Sequence, residues 1–510
     1  MHSFHFIMGV ASLGLVACGG SADSPGSSDG SGAGSPTSTS ANGDGGATTG
    51  PGAGGSTSST GPAGDVTGTS IDTRITESGE TMGPTEGYTV AALVGSTKIP
   101  GTVHADGSFT ISGVPAGVFT LEVTTSDGVT LFVVTAERTF DLGSVIQGRA
   151  DKANATRTTN VTLALTGAAP WISTDELNFY SLGADAWDEF NFDATPPPHV
   201  GATSIGGRLD YEFAFSPGLV DTAKGDVPYL VDLVTAPLSG VPVTAAAKVF
   251  SPTSLTMQDG HAAAIAGAFV DVPQTSHATI SWKRSAFAAF ADAAFPGATL
   301  VDHELSFFAE PAGPGRQSDG GSAVLVDALD TASTDVDLPI DFGNPYPASW
   351  STIAVASVFF DEEIPLPGGG TADAYSYASS EMPLAAADGG TFAPLIGPPT
   401  GLLLGGHAAQ SAALTAVGAT PTFAWTAPAL GAPAAYQVTI EELIAADHFF
   451  SFVANIVTDQ TSITIPSGVL EAGHKYRATV TSNSTWTTAA PNRIGDTIAS
   501  ASASTTGFSP

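Results

Sequence analysis

Apolar residues in this chain come in short alternating runs, each soon cut off by Gly, Pro or Asp, and this pattern limits the fold more than any other feature. Phe109 and Ile111 alternate with Thr110 and Ser112, and Phe119, Leu121 and Val123 take one face of the run that follows. A period of two sends successive side chains to opposite faces of a pleated strand, so these runs read as half-buried strands. Asp106-Gly107 and Pro115-Ala116-Gly117 supply the turns, the first being a pair that tolerates positive φ in a hairpin. Comparable runs recur from Val161 to Phe360. One segment differs: in Lys283 to Phe295, Phe287, Phe290 and Ala291 fall at helical spacing until Pro296-Gly297 stops them. That spacing predicts one helix with an aromatic stripe packed on a sheet. The predicted class is mainly β, a set of β-sandwiches with one helix in the middle of the chain.

Ahead of Tyr88 the composition is different. From Gly19 to about Gly83 the chain is Gly, Ser, Thr, Ala and Pro with scattered Asp, and no Lys or Arg precedes Arg74. So few apolar residues cannot offset the entropy of ordering the chain, which predicts a disordered tether over 18–84. About 65 residues of such coil reach on the order of 45 Å. At the start of the tether, an apolar run from Phe6 to Val16 leads into Leu15-Val16-Ala17-Cys18-Gly19. The run is shorter than the ~20 apolar residues a membrane-spanning helix needs and suits a signal-peptide core.

The pentapeptide resembles the lipobox of bacterial lipoproteins, although His2 and His5 stand where Lys or Arg is usual. The resemblance implies removal of residues 1–17, a diacylglycerol thioether on Cys18 and usually an acyl chain on its new amino group. Gly19, in place of the Asp that retains such proteins in the inner membrane, implies an outer-membrane lipoprotein on the periplasmic or extracellular face. Its membrane partner is then reached through the lipid anchor, and two or more chains hold firmly where one does not.

Cys18 is the one cysteine among 510 residues, so the body of the chain has no disulfide and relies on cores large enough to stand alone. Net charge is −34, from 49 acidic and 15 basic residues, a field that repels nucleic acid and excludes it as a partner.

The stretch Asp106 to Leu121 resembles the transthyretin-like, carboxypeptidase-regulatory type of β-sandwich, placed here over 85–159. In that family the module is generally an accessory without chemistry of its own. Residues 396–510 resemble a fibronectin type III domain through Trp425, Tyr436 and Leu470…Tyr476, the last forming its tyrosine corner. Between them, 160–395 is β-rich, one or two domains, and carries no family signature.

Catalytic patterns fail on inspection. His303-Glu304-Leu305-Ser306-Phe307 begins like a zincin helix but has Phe307 where the second His ligand must stand. Its alternation also makes it a strand, with His303 and Glu304 on opposite faces. Ala202-Thr203-Ser204-Ile205-Gly206 lacks the first Gly of a nucleophile elbow. Asp341-Phe342-Gly343, followed by Asn344-Pro345-Tyr346-Pro347, reads as a turn. No catalytic residue and no metal ligand is therefore assigned. Asp335, Asp337 and Asp341, or Asp361-Glu362-Glu363, could give oxygen ligands to Ca²⁺, while outward-facing strand charges explain them equally well.

The expected function is non-enzymatic binding or adhesion at the cell surface, to a polysaccharide or a surface protein. The alternative is a hydrolase whose cleft in 160–395 gathers His261, His277 or His303 with acidic residues. Trp486, in the polar run Ser482 to Thr488, is the candidate binding residue. Packing at the start of the last strand is its competing role.

Overall fold

The computed structural model describes residues 63–510 except 127, 190–197, 212–217, 313–320, 322, 367–369, 445–448 and 485–497. Cys18 and Trp486 lie outside the described residues. The protein is mainly β, in several packed sheets. Among the described residues the α-helices are Arg284–Ala288, Ala291–Ala294 and Leu384–Ala387.

Residues 64–84, expected from composition to be part of a tether, are paired instead. Gly64–Thr69, Ile71–Thr76 and Gly79–Pro84 are strands. Gly64–Thr69 runs antiparallel to Ser108–Val114 and parallel to Thr139–Asp141. Backbone pairing needs no apolar side chains, so a composition poor in them does not exclude a paired strand. The two that matter, Val66 and Ile75, are buried at 0% and 3% exposure. Val66 completes a core with Phe109, Ile111, Phe119, Leu121 and Phe140. Asp106-Gly107 forms the expected hairpin turn, with Gly107 at φ 80°.

The predicted helix over Lys283–Phe295 is two short ones. At Phe290 the N–H bonds to Phe287 O, three residues back rather than four, and the ladder breaks there. Neither helix is capped by the side chain of its own N-cap residue, and tertiary packing of the fully buried Phe287 holds the segment.

The middle of the chain has two cores. One lies under the sheet of Thr159–Thr166, Ser204–Tyr211 and Ala263–Ala268, where Phe179 meets Tyr211 edge-on at 6.0 Å. The larger lies between two sheets. Ser276–Trp282 pairs with Val336–Phe342 and faces the long strands Thr299–Glu310, Ala323–Asp330, Ser351–Pro365 and Thr371–Pro383.

In the C-terminal sandwich, Thr400–Leu404, Thr422–Thr426 and Ser462–Thr464 oppose Ala435–Ile444, Phe449–Thr458, Tyr476–Ser484 and Ala499–Ser504. Trp425 is buried against Tyr436, edge-on at 5.3 Å. The Tyr476 hydroxyl accepts the Glu471 N–H at 2.9 Å, fixing the corner between strands.

These parts are not beads on a string. Ala378–Ser380 pairs with Ala499–Ala501, and Leu131–Val134 pairs in parallel with Asn455–Thr458. The N-terminal sandwich, the middle sheet and the C-terminal sandwich thus share backbone hydrogen bonds.

Candidate binding site

Four aromatic rings from distant parts of the chain meet at one end of the middle sheet. The loop Asn344–Trp350 brings two of them. Pro345 and Pro347 fix its φ angles, and Asn344 Oδ1 accepts the Tyr346 N–H at 2.8 Å in an Asx turn. The Trp350 N–H then bonds back to Pro347 O at 3.0 Å, and the indole stacks on Tyr346 with ring centres 5.7 Å apart and planes 12° apart. Tyr180, from Glu176–Ser181, and Tyr229, from Tyr229–Leu238, are held side by side by direct pairing of their strands. Tyr180 meets both loop rings edge-on at 5.8 Å, and Tyr229 meets Tyr346 at 5.1 Å and Trp350 at 6.4 Å. Tyr180 and Tyr346 are buried, whereas Tyr229 and Trp350 keep part of their surface open to solvent.

Polar groups line the quartet. Tyr180 donates to Gln147 Oε1 at 2.9 Å, and Gln147 Nε2 donates to Gly321 O at 3.0 Å. Tyr346 has a buried hydroxyl with no partner. Beneath them Glu77 accepts the N–H groups of Gly183 at 3.1 Å and Val227 at 3.4 Å, yet burial still raises its carboxyl above the usual range. Half-buried Glu77 is neighboured by the buried Asp226, which receives Arg149 Nε at 2.9 Å. Burial, then the negative charge of Glu77, pushes the Tyr229 phenol up to about 12. The phenols are neutral at physiological pH, and the site offers ring faces, hydroxyl donors and carboxyls rather than a nucleophile with its base.

The residues singled out for catalysis and metal binding are scattered. His261 Nδ1 lies 2.8 Å from its neighbour Asp259's carbonyl, and His277 Nδ1 lies 2.8 Å from Asp341 Oδ1. His303 is fully buried, edge-on to Trp282 at 6.1 Å. His303 and Glu304 do take opposite faces of one strand, but both faces are covered. Ser204 opens the strand Ser204–Tyr211. Asp335 caps a helix, accepting the Ser285 N–H at 3.1 Å and hydroxyl at 2.7 Å, and pairs with Lys283 Nζ at 3.5 Å. In Asp361-Glu362-Glu363 the middle residue alone points inward. Among the described residues no group of three or more His, Cys, Asp or Glu is placed to hold a metal ion.

The aromatic quartet escaped the sequence reading, which took Asn344–Pro347 only as a turn. Its one local signal is a pair of aromatics four residues apart, Tyr346 and Trp350, in a loop stiffened by prolines.

No protein-family model matches this chain, and no curated protein matches it. Among solved structures it has a slight likeness to the FN1–FN3 domains of chicken CNTN1. Identity is 8% and the TM-score 0.13, over 87% of this chain and 98% of that one. The strands themselves, rather than that likeness, define the β fold.

Proposed function

We propose that this chain is a non-enzymatic, surface-anchored binding protein whose middle sheet takes a polysaccharide. The partly exposed Tyr229 and Trp350, set on buried Tyr180 and Tyr346, carry this reading. A sugar ring has an apolar face that stacks on an aromatic one and a rim of hydroxyls that needs donors and acceptors. Rings braced by one another lose little freedom on binding, so more of the contact energy is kept.

The remainder of the chain suits presentation. The lipobox-like Leu15–Gly19 places a lipid on Cys18 in the outer membrane, and the Gly/Ser/Thr tract lifts the folded part away from it. Trp425, Tyr436 and the Glu471–Tyr476 corner support a fibronectin type III-like C-terminal domain, and the Asp106–Leu121 hairpins a transthyretin-like one. Both act as spacers, with Trp486 a second candidate contact.

Pull-down of the full chain on insoluble polysaccharides tests the binding. Trp350→Ala and Tyr229→Ala are each expected to weaken retention at least tenfold while Trp350→Phe keeps most of it. Equal retention by all the variants would remove the quartet as the site. Labelling with a palmitate analogue tests the anchor: wild type should take up label and Cys18→Ala should not.

A further inference from the structure

One carboxyl at the aromatic quartet is left without a counter-ion. Glu77 follows the strand Ile71–Thr76 and is half-buried, keeping part of its surface open to solvent as Tyr229 and Trp350 do. The N–H groups of Gly183 and Val227 both donate to its Oε1, which fixes how the carboxyl lies. Val227 is two residues before Tyr229, so one stretch of backbone holds both the carboxyl and the ring. Among the described residues no side chain donates to Glu77 Oε2 and no cation pairs with it. The neighbouring cations are engaged. Arg149 donates through Nε and Nη2 to Asp226 at 2.9 and 3.1 Å, and through Nη1 to Asp151 at 3.1 Å. Lys224 also pairs with Asp151, at 2.8 Å, and Lys152 pairs with Asp185.

Gly183 leaves Glu77 Oε2 uncovered. A Cβ at this position would lie 2.5 Å from Glu77 Oε2 and 2.7 Å from Asp226 Oδ1, so any side chain would press on both carboxyls. Gly183 does not have a positive φ, so close approach, and not backbone conformation, calls for glycine here. A cation is the complement of this arrangement. An ammonium is attracted to the face of an aromatic ring, and a carboxylate oxygen takes a stronger hydrogen bond from it than from a neutral hydroxyl. Burial, opposed by the two N–H groups and helped by the charge of Asp226, raises the Glu77 carboxyl, and a bound ammonium supplies the opposite charge that it lacks. The chain as a whole, with 49 acidic and 15 basic residues, attracts cations and repels anions.

We propose that the quartet together with Glu77 selects a polysaccharide bearing free primary amines: the sugar ring stacks on the open faces of Tyr229 and Trp350, and its ammonium donates to Glu77 Oε2. This selectivity presupposes that the quartet is a polysaccharide site and adds the chemical class of the sugar. An N-acetylated sugar keeps the stacking and loses the charge, and an anionic sugar meets Glu77 as a like charge.

Calorimetry of the full chain tests this with two soluble hexasaccharides of one backbone, hexaglucosamine and its fully N-acetylated form. At pH 6, where the amines carry protons, and about 0.15 M salt, the amine form should bind at least about tenfold tighter. Glu77→Gln should bring the ratio of the two affinities close to one and leave the affinity for the acetylated form as it was. Asp459→Asn, which removes one exposed charge from the C-terminal sandwich, should keep the wild-type ratio. Equal wild-type affinity for the two forms, or a Glu77→Gln ratio that matches wild type, would overturn the selectivity. Trp350→Ala separates that failure from failure of the site: weaker binding of both forms keeps the quartet as a sugar site. A wild type that binds neither form removes the quartet and the selectivity with it. Should Glu77→Gln fail to fold, Gly183→Ala takes its place, since crowding Oε2 should lower the ratio and an unchanged ratio would overturn the proposal.

Discussion

His303 is fully buried and neither ring nitrogen has a hydrogen-bond partner. Burial, then the positive charge of Arg284, lowers its pKa from 6.5 to about 4. A depressed histidine is neutral in the fold and protonates first when unfolded, so stability present above 6.5 is lost as pH falls toward 4. His303→Leu removes that loss. Measured by denaturant midpoints, the variant should gain about 2 kcal/mol on wild type between pH 8 and pH 5. An equal offset at both pH values would show that the imidazole is not held neutral. Trp425, Tyr436 and Tyr476 were legible as core residues because strand alternation and a tyrosine corner are local patterns. The aromatic quartet was not: Tyr180, Tyr229 and the loop carrying Tyr346 and Trp350 are far apart in sequence, and strand pairing brings the first two together under that loop. The burial of both His303 and Glu304 was hidden for a related reason. Alternation shows that two residues face opposite ways, but not what covers each face.

At the scale of elements, the strand Gly64–Thr69 shows where composition misleads. Its residues resemble the tract before it, yet Gly68 is required by close approach. A Cβ there would lie 2.5 Å from Phe140 O and 2.6 Å from the Phe109 ring. Gly68→Ala must push this strand off both neighbours, and the expected cost is about 1–3 kcal/mol, the range for overpacking a well-filled core. Thermal unfolding of the full chain checks it; an unchanged midpoint would mean the strand is not docked as described. Broad-specificity protease should likewise trim the chain to a new N-terminus at or before Gly64, not near Tyr88, because 64–84 is paired. The divided helix carries a parallel lesson. Phe287 and Phe290 show helical spacing, but the spacing cannot show that packing favours a three-residue bond at Phe290 over a continuous ladder.

Across the whole molecule, burial shifts several ionisable groups toward their neutral forms. Burial raises Asp232 from 3.8 to about 6 and Glu362 from 4.5 to about 7. Each carboxyl favours the folded state while protonated, so stability falls as pH rises from the unfolded value to the folded one. His303 acts in the opposite sense from 6.5 down to about 4 and offsets one of the two carboxyls over much of that range. On the acid side, Asp151 and Asp335 are held low by hydrogen bonds and ion pairs, so their contributions disappear only as pH falls below the usual carboxylate range. The net charge of −34 adds self-repulsion that eases as carboxylates protonate. These terms place maximum stability near pH 4–5, lower than the pH 5–8 common among proteins. Chemical unfolding of dilute protein followed by tryptophan fluorescence, at half-unit steps from pH 4 to 8, should give midpoints that decline toward neutrality. The Glu362→Gln variant should decline less steeply than wild type. A wild-type midpoint that rises from pH 5 to 7.5 would show that the surface carboxylates, and not the buried ones, set the pH dependence.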